Sequence, residues 1–303
     1  MSMAPEFLQS SYDQALVLSS VLVAVVSSYV ALGLARCVRA QAGPTAIAWV
    51  GTGGLVMGSG IWAMHFSGML ALELPIATGY AGLETFLSWV AAVAISVVAL
   101  SIATRELLTK TYLLGGALVM GGGISAMHYL GMRALVLEPG IVWDWSWVAL
   151  SVAIAVGASA AALTIFFAIR SLGGRRAQQA QLAASVVMGL AISGMHYAGI
   201  AAASFPKNAI CLSADGLRGG RLGISIIVAV IVLLSIGLLA TDLERRLRRQ
   251  AEALKASLQV ANEKLAAANA ELRRLAFSDQ LTGIANRALF EDRLDHALAR
   301  VDR

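Results

Sequence analysis

The chain has 303 residues, of which 58% are hydrophobic and 14% charged, with a formal net charge of +5 and a mean hydropathy of +0.74. Soluble domains carry about 25% charged residues, so a soluble globular fold is excluded and an integral membrane protein, with the lipid bilayer as its first partner, is expected. The excess positive charge sits in short loops between apolar segments, which makes it a topology signal and gives no reason to expect nucleic acid as a partner.

Segments of about 20 apolar residues can cross a bilayer as helices. Seven are predicted, over residues 14–35, 46–72, 85–104, 111–132, 146–169, 181–204 and 222–241. The residues before the first (Glu6, Asp13) lack the basic start of a cleavable signal peptide, and that first run is long enough to span. Arg36 and Arg39 follow helix one, Arg105 and Lys110 separate helices three and four, Arg170, Arg175 and Arg176 follow helix five, and Arg245, Arg246, Arg248 and Arg249 follow helix seven. The alternate loops hold Glu73, Glu84, Glu138 and Asp144, with Arg133, Lys207, Arg218 and Arg221 as exceptions. The bias predicts an outer N-terminus and a cytoplasmic C-terminus. Cys37 and Cys211 then fall on opposite sides, and Cys211 reads as an incidental loop thiol rather than a stray metal ligand.

Three stretches inside these segments are near copies. They read MGSGIWAMHFSGM (Met57–Met69), MGGGISAMHYLGM (Met120–Met132) and MGLAISGMHYAGI (Met188–Ile200). Three of the four histidines, His65, His128 and His196, and eight of the ten methionines lie in them. Each copy closes the second helix of a pair, so six helices form three tandem two-helix repeats and helix seven is an added exit helix. A two-span repeat preserves orientation, so the repeats are parallel about an axis along the membrane normal and the three histidines share one depth, near the outer ends of helices two, four and six. Pro75, Pro139 and Pro206 follow at similar distances, where they would help end each helix.

An ionisable side chain within a span is costly and marks function unless a neighbouring helix or water satisfies it. Three histidines at equivalent positions favour function. Methionine at helical spacing is usually core filler, but here one precedes each histidine (Met64, Met127, Met195) and another follows two of them by four residues (Met69, Met132). Thioethers suit Cu(I), and imidazole suits copper, zinc and iron. The expected metal ligands are therefore His65, His128 and His196, then Met64, Met127 and Met195, then Met69 and Met132, with copper as the first candidate. Haem clasped between two histidines is the alternative cofactor. The repeated glycines read as close helix packing.

After Thr241 the chain becomes charged and Ala/Leu-rich. Leu247, Leu254, Ala261, Ala268 and Leu275 recur every seven residues, and Ala251, Leu258, Leu265 and Leu272 fill the second position of the heptad. This narrow seam predicts a coiled coil over 242–275 and hence a homodimer, rather than an amphipathic helix lying on the chain's own cytoplasmic face. Three domains follow: a seven-span unit (1–241), a signalling helix (242–276) and a short C-terminal segment (277–303). That segment has turn residues at Asp279, Thr282 and Gly283 and a helix expected over Asn286–Ala299.

The three M-H-[FY] motifs on alternate helices resemble the MHYT family of bacterial membrane sensors. The likeness covers about Tyr12–Leu239, with Phe66 in place of Tyr in the first copy and Ser67, Leu130 or Ala198 where the family name has Thr. It implies a multi-pass bacterial cell-membrane sensor whose His and Met bind copper and respond to O2, CO or NO. Asp279, Leu281, Thr282, Gly283, Asn286 and Arg287 resemble the D-x-L-T-G-L-x-N-R opening of GGDEF domains, with Ile284 for Leu. That likeness implies a turn between the signalling helix and a first strand. It also implies an output in cyclic di-GMP turnover, a cyclase or a cyclase–phosphodiesterase, whose catalytic loop lies beyond Arg303. No catalytic residue is expected within this stretch. A metal or proton transporter is the competing class, disfavoured by the absence of a midplane carboxylate or broken helix pair. A rhodopsin is excluded because helix seven has no lysine.

Overall fold

The computed structural model describes residues 7–39, 44–103, 105–172, 174–217, 219–279 and 282–301. Glu6, Arg218 and Leu281, used above, lie outside the described residues, as do the side chains of Arg245 and Arg248. The chain is an all-α membrane protein. Helices α1 (Gln14–Arg39), α2 (Pro44–Ala71), α3 (Gly82–Ala103), α4 (Lys110–Arg133), α5 (Trp145–Ile169) and α6 (Gly174–Ala201) are followed by α7 (Gly219–Phe277) and α8 (Arg287–Val301). Seven of them are long and apolar enough to cross a bilayer. The spans match the predicted set, except that α6 starts well before residue 181. Its first turns are polar (Arg175, Arg176, Gln178, Gln179) and invisible to a search for apolar runs.

Helices α1 to α6 close into a ring in chain order, α6 packing back on α1. Across the ring, α2, α4 and α6 touch one another. The three repeats obey one geometry. A Cβ on the glycine seven residues before each histidine would lie 2.5 Å from the Val93 backbone (Gly58), 2.6 Å from that of Val156 (Gly121) and 2.8 Å from that of Val25 (Gly189). Each second helix thus lies backbone to backbone on the first helix of the next repeat, α2 on α3, α4 on α5 and α6 on α1. Small residues permit this approach where lipid supplies no hydrophobic drive. Within each repeat, the start of the first helix is tied to the end of the second by Asp13 N to Ala71 O, Ala81 N to Ala134 O and Asp144 N to Ala202 O.

The prolines do not end the helices. α2, α4 and α6 stop four to six residues before Pro75, Pro139 and Pro206. Short antiparallel pairs take the chain over at that end of the ring: β1 (Ser11–Tyr12) with β2 (Leu72–Glu73), β3 (Leu137–Glu138) with β6 (Ile210–Cys211), and β4 (Val142–Trp143) with β5 (Ala203–Ser204). Cys37 and Cys211 are both buried and form no disulfide. The membrane part of α7 rests on the outside of the ring, where Leu233 and Ala240 join a buried cluster with Val30, Leu34 and Val56.

The chain divides into two units, Met1–Thr241 and Asp242–Arg303. In the second, Leu254, Leu258, Leu265 and Leu272 are 57–63% exposed, an apolar stripe uncovered within the chain. The turn after α7 is built by polar side chains. Asp279 Oδ1 accepts from Thr282 N and Oγ1. Gly283 has φ +70°, which a side chain would oppose. Asn286 donates to Ala276 O and caps α8 by accepting from Leu289 N. The helix expected over Asn286–Ala299 follows directly as α8, with Asn286 as its N-cap.

Candidate metal centre

His65 on α2, His128 on α4 and His196 on α6 sit five or six residues from the ends of their helices, and all three are 0% exposed. Their Nδ1 atoms form a triangle with edges of 3.1, 3.1 and 3.3 Å. The rings stand nearly perpendicular to one another, 84–89° between planes, like blades around the axis of the bundle.

Hydrogen bonds among the three cannot satisfy this triangle. An imidazole nitrogen either carries a proton or offers a lone pair, never both. Among three nitrogens at least two are alike, so at least one edge sets donor against donor or lone pair against lone pair. A cation that takes three lone pairs at once removes the conflict. The point equidistant from the three nitrogens lies about 1.8 Å from each (mean edge divided by √3), close to the ~2.0 Å of a metal–imidazole bond. The set fits a metal ion, and the three-histidine group can hold one.

Each ring is positioned by a neighbour from another repeat. The Nε2 atoms of all three histidines are buried without a hydrogen-bond partner. A Cβ on Gly131 would lie 2.1 Å from Nε2 of His65, one on Gly199 2.1 Å from that of His128, and one on Gly68 2.1 Å from that of His196. These are the glycines three residues after each histidine. Every imidazole is thus seated on the bare backbone of another copy, in the cycle α2 to α4 to α6 to α2. Metal-bound histidines usually donate their second N–H to a carbonyl or carboxylate. Here steric seating takes that orienting role, helped by the aromatic residue after each histidine, whose ring meets the imidazole edge-on.

That aromatic ring explains part of the motif. Tyr129 Oη meets Ser151 Oγ at 2.5 Å and Tyr197 Oη meets Ser20 Oγ at 2.8 Å. Both serines also donate within their own helices, to Val148 O and Val17 O. Ser88 is the third member of this set, bonded to Thr85 O on α3, the helix that packs on the α2 of Phe66. The first copy dispenses with the hydroxyl and packs Phe66 against Trp62 and Tyr80 instead.

The structure brings the three histidines together, and all five methionines are buried. Met127, Met69 and Met132 lie in one apolar cluster with Phe66, Tyr80 and Ile200. Met195 lies in a second with Ile95 and Ile124. Met64 lines a small cavity between α1, α2 and α6. Ile200, where the third copy lacks its trailing methionine, shares the cluster of Met69 and Met132. From sequence the repeated glycines read only as close helix packing, and neither their seating of the imidazoles nor the serine partners of the tyrosines was foreseen. The invariant x-G after M-H-[FY] was the available signal.

Residues 58–116 and 121–181 match the MHYT family, described as a bacterial signalling protein N-terminal repeat. The chain is 45% identical over 295 residues to the bifunctional diguanylate cyclase/cyclic di-GMP phosphodiesterase MucR of Pseudomonas aeruginosa, covering 97% of this chain and 42% of that protein. It is 34% identical over 291 residues to the cyclic di-GMP phosphodiesterase NbdA of the same organism, covering 93% of this chain and 36% of NbdA. It is also 34% identical over 202 residues to the signaling protein YkoW of Bacillus subtilis, covering 65% of this chain and 25% of YkoW. The chain thus spans less than half the length of each of these relatives. No solved structure matches it. The chain carries an MHYT membrane sensor domain.

Proposed function

We propose that this MHYT chain is the input module of a membrane receptor that holds copper on His65, His128 and His196. The observation that carries this reading is the Nδ1 triangle, which its own protons cannot satisfy and three metal bonds can. Three neutral nitrogens suit a soft or borderline ion, and the carboxylates that a hard cation needs do not contribute to the triangle. Bound copper would supply an open coordination position and a redox couple, through which O2, CO, NO or an electron acts as stimulus. The seating glycines hold the imidazoles at the axis, and the surrounding apolar cluster limits water. Met64, Met127 and Met195, then Met69 and Met132, are the thioethers that stand next to the ligands in sequence. Haem fits less well, since nitrogens 3.1–3.3 Å apart leave no room for a macrocycle between two rings.

In this reading the histidine end of the bundle faces outside and the C-terminus lies in the cytoplasm of a bacterial cell, as the basic residues of alternate loops favour. A ligand that changes the triangle changes the mutual packing of α2, α4 and α6, a two-state helix rearrangement of the kind receptors use. The uncovered leucine stripe of 242–275 pairs two chains in a coiled coil. The turn at Asp279–Asn286 begins a GGDEF output domain, so the whole protein turns over cyclic di-GMP as its relatives are named to do.

Elemental analysis of the purified chain tests the reading. Copper at about one per chain is expected, lost on changing any one of His65, His128 or His196 to Ala. Absence of copper from protein loaded under reducing conditions, or equal retention in all three variants, overturns it.

A further inference from the structure

The aromatic residue after each histidine meets a second aromatic that stands just before the first helix of the next repeat. Phe66 meets Tyr80 at 5.6 Å, Tyr129 meets Trp143 at 5.3 Å and Tyr197 meets Tyr12 at 6.2 Å between ring centroids, all edge-on. Each imidazole is thus followed by two rings in series. The three arms are not alike: Tyr12 is 36% exposed and Tyr80 only 4%. The difference lies in residues 209–217, the segment between α6 and α7. Tyr80 exchanges two backbone hydrogen bonds with Leu217, Tyr80 N to Leu217 O at 3.1 Å and Leu217 N to Tyr80 O at 2.9 Å, two residues before α7 begins at Gly219. A Cβ on Gly216 would lie 2.5 Å from Tyr80 O, so the two backbones touch. The Tyr80 hydroxyl donates to Met69 O at 3.0 Å, one turn beyond His65 on α2. One residue therefore grips the end of α2 with its side chain and the entry of α7 with its backbone.

The same segment reaches the other two histidine helices. It continues the chain from α6. It also bonds to the chain just after α4, Leu212 N to Val136 O at 2.8 Å, and Ser213 Oγ donates to Gly79 O at 2.7 Å. Leu222, in the first turn of α7, is 1% exposed in the apolar cluster of Phe66, Met69 and Tyr80. Among the described residues α7 is otherwise the least buried span, 17% against 28–50% for the rest. We propose that residues 209–217 are the coupling element by which α7 reads the histidine triangle, with Tyr80 as their arm to α2. A shift of His65 moves Phe66 and Met69, these move Tyr80, and the paired backbone of Tyr80 and Leu217 carries the shift into the first turn of α7. Only one of the three repeats has this arm, which breaks the pseudo-symmetry of the ring at the place where a signal has to leave it. The metal reading supplies the stimulus for this coupling, while the contacts themselves do not depend on it.

Hydrogen–deuterium exchange of residues 209–217 in the purified full chain tests the coupling, since exchange reports local opening. The triangle is disturbed in two ways, by loading copper on the wild type and by His65→Gln without metal. Copper should slow exchange of the segment several-fold, and His65→Gln should speed it. Tyr80→Leu cuts the arm at the α2 side and Gly216→Ala at the segment side. In both backgrounds the effect of His65→Gln should vanish, while copper content stays that of the wild type. Tyr12→Leu, the equivalent change in another repeat, should leave the response intact. A segment indifferent both to bound copper and to His65→Gln overturns the proposal. So does an effect of His65→Gln that survives undiminished in Tyr80→Leu and Gly216→Ala, or one that Tyr12→Leu abolishes equally. A chain that takes no copper but still transmits His65→Gln to the segment counts against the metal reading and supports the coupling.

Discussion

Replacing Gly131 by Ala puts the seating of His65 to a direct test. The added Cβ lies 2.1 Å from Nε2, 2.7 Å from Cδ2 and 3.2 Å from Cε1 of that ring. Ordinary carbon contacts lie at about 3.5 Å or beyond, so the imidazole or the helix gives way by about 1 Å. The ring cannot retreat freely, because its Nδ1 already lies 3.1 Å from both other histidines. Overpacking of this kind costs ~1–3 kcal/mol, set against the ~1 kcal/mol that Ala gains over Gly in a helix. Gly122 in the same helix is the control, since nothing lies within 4 Å of its added Cβ. Gly122→Ala should raise thermal stability in detergent or leave it unchanged, while Gly131→Ala lowers it. Copper affinity, read by chelator competition, should fall by about 10–100-fold in Gly131→Ala, the usual loss when the groups orienting a ligand are disturbed. Equal stability and equal affinity in the two variants would refute the seating argument.

Tyr129→Phe and Tyr197→Phe should each cost about 1 kcal/mol in unfolding, because each loses one bond to a serine that keeps its own carbonyl partner. Copper content is expected to stay unchanged in both, and its loss would show that the hydroxyl acts on the metal. Gly58→Leu, Gly121→Leu and Gly189→Leu should each force apart helices that touch through backbone, lowering the folded yield and melting temperature in detergent. Wild-type melting in any of them would contradict the backbone contact. Leu258→Lys with Leu265→Lys should convert a dimer to a monomer by light scattering while the membrane spans keep their helical circular dichroism. A persistent dimer would place the interface elsewhere.

The spans and repeats were legible because a bilayer imposes one strong rule, an apolar run of about 20 residues, and because the M-G-x-x-I-x-x-M-H pattern marks equivalent positions. That three histidines share one level followed from parallel repeats. That their Nδ1 atoms touch did not, because spacing along a helix says nothing of how three helices turn about a common axis. The glycine three residues after each histidine is a plain case. Its position in the pattern was visible, but its partner is a ring 66 to 128 residues away, and only the closed ring of helices brings them together. The polar start of α6 was missed because it carries no hydropathy signal, and the short strands because two-residue pairings have no period. The cap residues Asp279, Gly283 and Asn286 were legible as turn chemistry, since each acts within a few residues of itself.

The seating of each histidine on the glycine of another copy has a bearing on ancestry. One patch-to-patch contact is used three times about an axis and closes on itself, as in a cyclic homo-oligomer. No repeat owns the centre: one helix pair contains a single imidazole and a seat for somebody else's. A lone helix pair assembling as a trimer would present the same triangle. Fusing three such genes end to end would preserve it while freeing each copy to diverge. Phe66 and Ile200 are places where the copies differ, and such differences are open only to a chain in which the three subunits have become one.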